Sequence, residues 1–352
     1  MALTVLGVAF PFAPVGGDAV GGAEQVLASL DAGLVRAGHR SLVVACEGST
    51  VAGTLLPVRR VGGIVDDAIR AAVHAQVRAI IADALDRYPV DVIHMHGLDF
   101  AACLPPPGVP VLATLHLPLS WYPPQALAPT RPGTWLNGVS ASQMAGAAHL
   151  ARMLAPIENG VAVDRLAIRV PKHRFAVSLG RICPEQGFHL AIEAARSVDM
   201  QFVLAGAVFP YAEHQRHFRE DIQPLLDGRR RFVGAVGFSR KRWILGAARC
   251  LLAPSLVAEA SSLAAMEAAA SGTPVVAFPN GALADIVEPG VTGFLVRDVA
   301  EMADAIADAG TLDPEACRAA ARARFTVERM VERYLTLYAN LTRGALPAAG
   351  AA

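Results

Sequence analysis

Short apolar runs recur along this chain, each followed by a glycine-rich or polar stretch and then by a longer segment with helical spacing. Residues 3–10 predict a buried strand, a Gly-rich loop follows, and a helix runs over 23–37 until Gly38 stops it. Residues 40–45 read as the next strand. A long amphipathic helix over 64–88 places Arg70, His74 and Arg78 on one stripe, and 90–94, 111–115 and 136–139 read as further strands. The pattern restarts after Asn159-Gly160-Val161: strand 175–179, helix 188–196, strand 201–205, a polar helix over 211–226, a strand near 232 and a helix over 240–248. The end is helical, over 299–309, 314–324 and 327–341. Strands alternating with helices predict parallel sheets covered on both faces.

The fold class is therefore α/β, with two doubly wound, Rossmann-like domains. The expected boundaries are 1–160 for the first and 161–326 for the second, then a helix over 327–344 crossing back to the first domain, and a disordered small-residue tail, 345–352. Doubly wound sheets hold ligands at the carboxyl ends of their strands. Two such edges facing each other would make an interdomain cleft.

Composition narrows the function. A chain of 352 residues is longer than one core usually accommodates. Lys+Arg and Asp+Glu both number 31, so no basic excess points to nucleic acid as a partner. Mean hydropathy is +0.40. Even so, charges, Gly and Pro interrupt every apolar run before the roughly 20 residues of a spanning helix, so no transmembrane segment is expected. Asp66, Asp67, Asp83 and Asp86 beside the arginines of helix 64–88 argue against docking on anionic lipid. The first residues lack a basic n-region, which argues against a signal peptide. Five scattered cysteines, an odd number, predict reduced thiols in a cytoplasmic protein.

The richest chemistry lies between Cys250 and Val296. The apolar run Leu251-Leu252-Ala253-Pro254-Ser255 leads to Glu259-Ala260-Ser261-Ser262-Leu263 and then to a small-residue helix carrying Glu267. Gly272-Thr273-Pro274-Val275-Val276-Ala277 and Gly290-Val291-Thr292-Gly293-Phe294-Leu295-Val296 follow. A buried strand ends at a loop that opens a helix, whose first amides and partial positive charge suit a phosphate. Two carboxylates beside an anion site fit a ligand that also carries hydroxyls. Phosphate, ribose and sugar together make a nucleotide sugar.

Glu259 and Glu267, with seven residues between them and the two glycine-bearing segments after them, resemble the donor-site signature of family 4 retaining glycosyltransferases, enzymes of the GT-B fold. The resemblance covers nearly the whole chain. It implies transfer of a sugar from a nucleotide diphosphate sugar, a UDP-sugar first among them, to a small-molecule or glycan acceptor held by the first domain. It also implies retention of configuration, no metal, and no cofactor beyond the donor as co-substrate. A lack of any Asp-x-Asp pair in a cleft loop agrees with that.

The resemblance assigns roles to further residues. Gly21 and Gly22 lie in a loop, Gly16 to Glu24, whose spacing is neither the dinucleotide fingerprint nor a P-loop. By the resemblance their amides meet the donor phosphate. His116 ends a strand before Leu117-Pro118, matching a His-x-Pro segment in which the histidine touches the sugar near the anomeric centre. Arg181 matches a Gly-Arg…Lys-Gly pattern whose two cations hold the pyrophosphate, and Gln186 stands where the lysine is expected. An amide donates a hydrogen bond but brings no charge. Ser261 and Ser262 cap the helix or, with Leu263, bind the phosphate. Glu267 holds ribose hydroxyls and Glu259 sugar hydroxyls. The expected catalytic set is His116, Arg181 and Glu259, with Gly21, Gly22, Gln186, Ser261, Ser262, Leu263 and Glu267 binding the donor.

Other clusters read as ordinary surface or packing. His94 and His96 lack a third metal ligand and read as a packed pair, Arg240-Lys241-Arg242 as a solvated helix start, and Arg229-Arg230-Arg231 as a solvated loop. Glu267 alone would fit a helix carboxylate paired with an arginine. Residues 117–131, with Trp121, Tyr122 and several prolines, read either as the floor of an acceptor pocket or as a Pro-rich connection. Two rivals remain: an epimerase or phosphorylase of the same fold, and a nucleotide-sugar binding module weakened at Gln186.

Overall fold

Every strand pairing among the described residues is parallel. Parallel strands need crossover connections, and helical segments supply most of them, while β2 and β3 are joined by the loop 47–53 alone. The structure, a computed structural model, describes residues 2–63, 65–147 and 149–345. The chain divides into two units: the residues up to Asn159 together with those from Val327 on, and Gly160–Thr326 between them. The tail expected to be disordered lies outside the described residues from position 346.

The first unit holds β1 (Thr4–Val8), β2 (Arg40–Cys46), β3 (Thr54–Val58), β4 (Val92–Met95), β5 (Val111–Thr114), β6 (Thr134–Asn137) and β7 (Met153–Leu154), in the order β3-β2-β1-β4-β5-β6-β7. β1, β4 and β5 are buried along their whole length, as a sheet covered on both faces requires. β3 was not foreseen. Pro57 interrupts its apolar run, and a proline without an N–H is tolerated because β3 is an edge strand.

The helix expected over 64–88 runs from Asp67 to Arg87 because Asp66 caps it, accepting from the Ile69 amide at 2.8 Å. Ile64 lies outside the described residues. Its polar stripe is partly internal: His74 is buried and bonds Asp99 at 2.5 Å, and Arg78 donates to the Ala102 carbonyl at 2.6 Å. The last helix, Val327–Thr342, packs on the helix Gly22–Arg36 within this unit. A Cβ on Gly33 would overlap Val331, so the glycine sets how closely the two helices approach.

The second unit holds β8 (Phe175–Leu179), β9 (Gln201–Ala205), β10 (Arg230–Phe232), β11 (Cys250–Ala253), β12 (Val275–Ala277) and β13 (Gly293–Leu295), in the order β10-β9-β8-β11-β12-β13. The strand order reverses between β8 and β11, the place where such sheets open a ligand crevice. Helix Leu263–Ala270 is buried almost throughout, and its alanines let it pack on helix Pro314–Arg324. The helix expected over 211–226 is α-helical only over Ala212–His217. It then passes through a π turn, Phe218–Ile222, and a 3₁₀ turn, Gln223–Leu225, where Pro224 cannot donate.

Arg229-Arg230-Arg231 is not a uniformly solvated loop. Arg230 is buried on β10 and pairs with Asp227 at 2.9 Å and Asp199 at 3.5 Å, while Arg229 and Arg231 stay exposed. Among the described residues no helix is long and apolar enough to cross a membrane.

Candidate active site

Two loops of the second unit carry most of the expected donor residues, one after β8 and one after β11. The first passes Arg181 and a 3₁₀ turn, Pro184–Gln186, into helix Phe188–Ser197. Gly187 makes that entry with φ 63°, and a Cβ there would overlap the Pro254 carbonyl, so only glycine brings the loops this close. The loops are tied together. The Glu185 carbonyl accepts from the Leu256 amide at 2.8 Å and from Ser255 Oγ at 3.4 Å, and Asn280 Nδ2 donates to the Ser255 carbonyl at 2.6 Å.

Gln186 meets Glu259 across this junction, its Nε2 donating to Glu259 Oε1 at 2.6 Å. Burial pushes the Glu259 carboxyl above its ordinary range, while the Gln186 hydrogen bond and the Arg181 charge oppose that rise. Arg181 lies with its guanidinium 5.9 Å from the centre of the Phe209 ring, and its Nε is buried without a hydrogen-bond partner. Ser262 caps helix Leu263–Ala270, its Oγ accepting from the Ala265 amide at 3.4 Å. Ser261 Oγ is buried without a partner, and Leu263 contributes a first-turn amide that its own helix leaves unbonded. The two serines therefore divide the roles foreseen for them: one caps and the other has an unused hydroxyl.

Glu267 is 5 % exposed and forms an ion pair with Lys241, itself 7 % exposed. The partner is a lysine and not the arginine weighed from sequence. The reading of Arg240-Lys241-Arg242 as a solvated helix start fails at its central residue. On helix Phe238–Ala247, Lys241 shares a face with the buried Leu245 one turn later, and that i, i+4 spacing was the signal available in the sequence. Burial pushes the Glu267 carboxyl up, and the Lys241 ammonium pulls it back toward the carboxylate. The loops after β8 and β11 thus bring together a carboxylate, an amide and a guanidinium, and the unused Ser261 hydroxyl lies at the start of the helix that carries Glu267. That set can hold an anion and several hydroxyls at once.

In the first unit, Gly21 is the N-cap of helix Gly22–Arg36, with φ −81° and ψ 139°, and Gly22 is its first residue. A Cβ on Gly21 would overlap the Glu24 carboxylate, which lies over the helix start and offsets part of its positive end. His116 follows β5. Its ring stacks on His96 at 5.2 Å, with His116 Nε2 and His96 Nδ1 2.9 Å apart. Burial drives the His116 ring down to about 4, so it is neutral near pH 7.

Behind His96 lies a closed polar network that sequence reading missed. Thr114 Oγ1 donates to Asn137 Oδ1 at 2.7 Å, so it accepts from His94 Nε2, also 2.7 Å away. His94 Nδ1 is then an acceptor, and the Tyr338 hydroxyl donates to it at 2.6 Å. Tyr334 adds a 3.2 Å contact to Thr114. Both tyrosines come from the last helix, more than two hundred positions away in the chain. Tyr122 packs in the core against Phe100, and Trp121 beside it is 39 % exposed, so only Trp121 presents a ring at the surface.

Comparison with known proteins agrees with this fold. Residues 20–152 match the family model described as Glycosyltransferase Family 4, and residues 173–310 match that described as Glycosyl transferases group 1. Together they span well over half of the chain. A phosphatidyl-myo-inositol mannosyltransferase of Mycobacterium leprae is 26 % identical over 284 residues, covering 72 % of each chain. The crystal structure of a glycosyltransferase involved in avilamycin A biosynthesis is 25 % identical with a TM-score of 0.71, covering 97 % of this chain and 99 % of that one. The Anabaena protein HepE, solved with UDP-glucose, is 19 % identical with a TM-score of 0.72, covering 96 % of this chain and 100 % of that one. The chain belongs to the family 4 glycosyltransferases and has the GT-B fold.

Proposed function

We propose that this glycosyltransferase moves a hexosyl group from a nucleotide diphosphate sugar to a hydroxyl acceptor, with retention of anomeric configuration and without a metal or cofactor acting on the reacting bond. The observation that carries this reading is the Gln186–Glu259 pair joining the loops after β8 and β11, with the Arg181 charge acting on Glu259 and its Nε left without a partner. In this reading Glu267 accepts from the ribose hydroxyls and Glu259 from the sugar hydroxyls. Arg181, Ser261 and the amides of Ser262 and Leu263 hold the diphosphate. As the bond from the anomeric carbon to the phosphate oxygen breaks, negative charge grows on the diphosphate, and Arg181 offsets it. Fixed charges of this kind are usually the largest catalytic contribution. The acceptor hydroxyl forms the new bond, and its proton passes to the departing diphosphate.

Gly21, Gly22 and His116 act on the same donor in this proposal, His116 as a neutral ring near the anomeric carbon. Trp121 is the first residue to test for acceptor stacking. Five free, buried cysteines support the cytoplasm as the compartment. Incubating the protein with a panel of nucleotide sugars, UDP-sugars first, and following the anomer of the released or transferred sugar by NMR tests donor and stereochemistry together. An inverted product, or no turnover with any donor, defeats the reading. One observation favours a second reading: the Gln186 amide stands where the family places a lysine and is engaged by Glu259. Tight nucleotide binding with no turnover would point to a binding module instead.

A further inference from the structure

The turn after β8 carries a second cluster that the donor chemistry does not use. Cys183, Glu185 and His214 each bring one potential ligand atom within 4.8 Å of the other two. The first two come from that turn, and His214 comes from the short helix Ala212–His217 that follows β9. Cys183 is fully buried, its thiol meeting the Arg181 carbonyl at 3.6 Å and the Glu185 carboxylate. Two atoms of the cluster, Glu185 Oε2 and His214 Nδ1, are buried without a hydrogen-bond partner. His214 is 9 % exposed. An unsatisfied buried polar atom costs about 1–3 kcal/mol, so two beside a buried thiol call for an occupant.

We propose that Cys183, Glu185 and His214 bind a zinc ion that fixes this turn to the helix Ala212–His217. Thiolate, carboxylate and imidazole are each ordinary zinc ligands, and the sulfur disfavours magnesium and calcium. Three protein ligands leave the fourth tetrahedral position to water. Cys183 binds as the thiolate, giving its proton to solvent, while His214 binds as the neutral ring. One divalent ion enters and one proton leaves, so the site gains a single positive charge. Arg181, Glu213 and His217 are the other charged or titratable groups that act on His214. The thiolate and the Glu185 carboxylate offset the ion, so Arg181 faces a neutral complex and not a bare dication. The turn also carries Gln186, the neutral residue in the lysine position, and the ion restores to it the one charge that the lysine would have brought.

The test uses the full chain, stripped with a chelator and then loaded with zinc or cobalt. After gel filtration the wild type should keep about one zinc per chain by elemental analysis, and the cobalt form should show a thiolate-to-metal charge-transfer band. Cys183→Ser should abolish the band, and His214→Ala should weaken zinc binding by more than the roughly 10- to 100-fold that losing an outer-shell partner costs. Both variants should match the circular dichroism of the chelator-treated wild type. A wild type that keeps no zinc overturns the proposal, as does a Cys183→Ser protein that keeps the full equivalent. If either variant fails to fold, the wild-type cobalt spectrum decides alone: without a thiolate band the proposal falls.

Discussion

Gln186 donates its side-chain amide to Glu259 at 2.6 Å, so the residue in the family's lysine position is in contact with the first of the two signature carboxylates. The contact is neutral on one side. Replacing Gln186 with lysine would turn it into an ion pair, and a cation beside a carboxyl lowers its pKa. Gln186→Lys should therefore move the acidic limb of donor hydrolysis to lower pH. It should also tighten diphosphate binding, with a gain that shrinks in high salt because an added charge is screened. An unmoved acidic limb would show that Glu259 does not set it.

The buried pair Lys241–Glu267 separates stability from recognition. Glu267→Ala should weaken UDP binding by about 1.5–3 kcal/mol, the scale of a charge-assisted hydrogen bond. It should also destabilise the second unit by about 3–5 kcal/mol, because Lys241 is left buried and unpaired. The double change Glu267→Leu with Lys241→Met removes both charges and should recover most of the stability but none of the affinity. Calorimetric UDP titration and denaturant unfolding read the two effects apart, and recovered UDP affinity in the double variant would remove Glu267 from the nucleotide site.

His116 and Arg181 should fail in different ways. Arg181→Ala should lower turnover by roughly 100- to 1000-fold, the effect of losing one preorganised donor. His116→Ala should lower turnover while free UDP binds as before, because the ring is proposed to touch the sugar. Steady-state kinetics beside UDP titration checks both. Loss of UDP affinity in the His116 variant would mark the residue as a support of the first unit only.

The histidines of the first unit predict how it responds to acid. Burial lowers His116 from 6.5 to about 4 and holds His94 and His96 well below their ordinary value. The unfolded chain protonates these rings first, so their contribution is fully present above pH 6.5 and is lost as pH falls through about 4. Each ring should cost about 1.4 kcal/mol per pH unit within its window. Denaturant midpoints of the first unit measured across that range should fall steeply, and His96→Gln should flatten the slope. A midpoint independent of pH there would contradict the buried, neutral network.

Tyr338→Phe should destabilise the first unit by about 1–3 kcal/mol, because His94 Nδ1 loses its donor where water cannot replace it. Tyr334→Phe should cost less, since Thr114 keeps its bonds to His94 and Asn137. Thermal unfolding of the two variants ranks them, and the reverse order would reassign the network's hydrogen bonds.

Local patterns made most of the fold legible. Short apolar runs broken by proline or glycine placed β1, β8 and β11, and the small residues around Glu267 announced a buried helix. The two signature carboxylates, Glu259 and Glu267, stand out in the sequence because the seven residues between them and the glycine-bearing segments after them form a local pattern. What escaped was pairing over distance. Lys241 looked like one of three solvated cations because its partner lies 26 positions away, and Arg230 looked exposed because Asp199 lies across an adjacent strand connection. The edge strand β3 was hidden by Pro57, whose missing N–H matters only if another strand lies on that side. The tyrosines around His94 carried no local signal, since a tyrosine on an amphipathic helix reads the same whether its hydroxyl meets water or an imidazole.

The division of the first unit along the chain has a consequence for synthesis. Its sheet and first helix leave the ribosome early, but the helix bearing Tyr334 and Tyr338 leaves only after the whole of Gly160–Thr326. At roughly 5–20 residues per second, that gap lasts on the order of ten seconds. For all that time the place reserved for the last helix is open to solvent. His94 and Thr114 are polar, so water can bond them while they wait, which a purely apolar face would not allow without inviting association. The second unit is one unbroken stretch and has no such wait. It can finish folding while the first still lacks its closing helix.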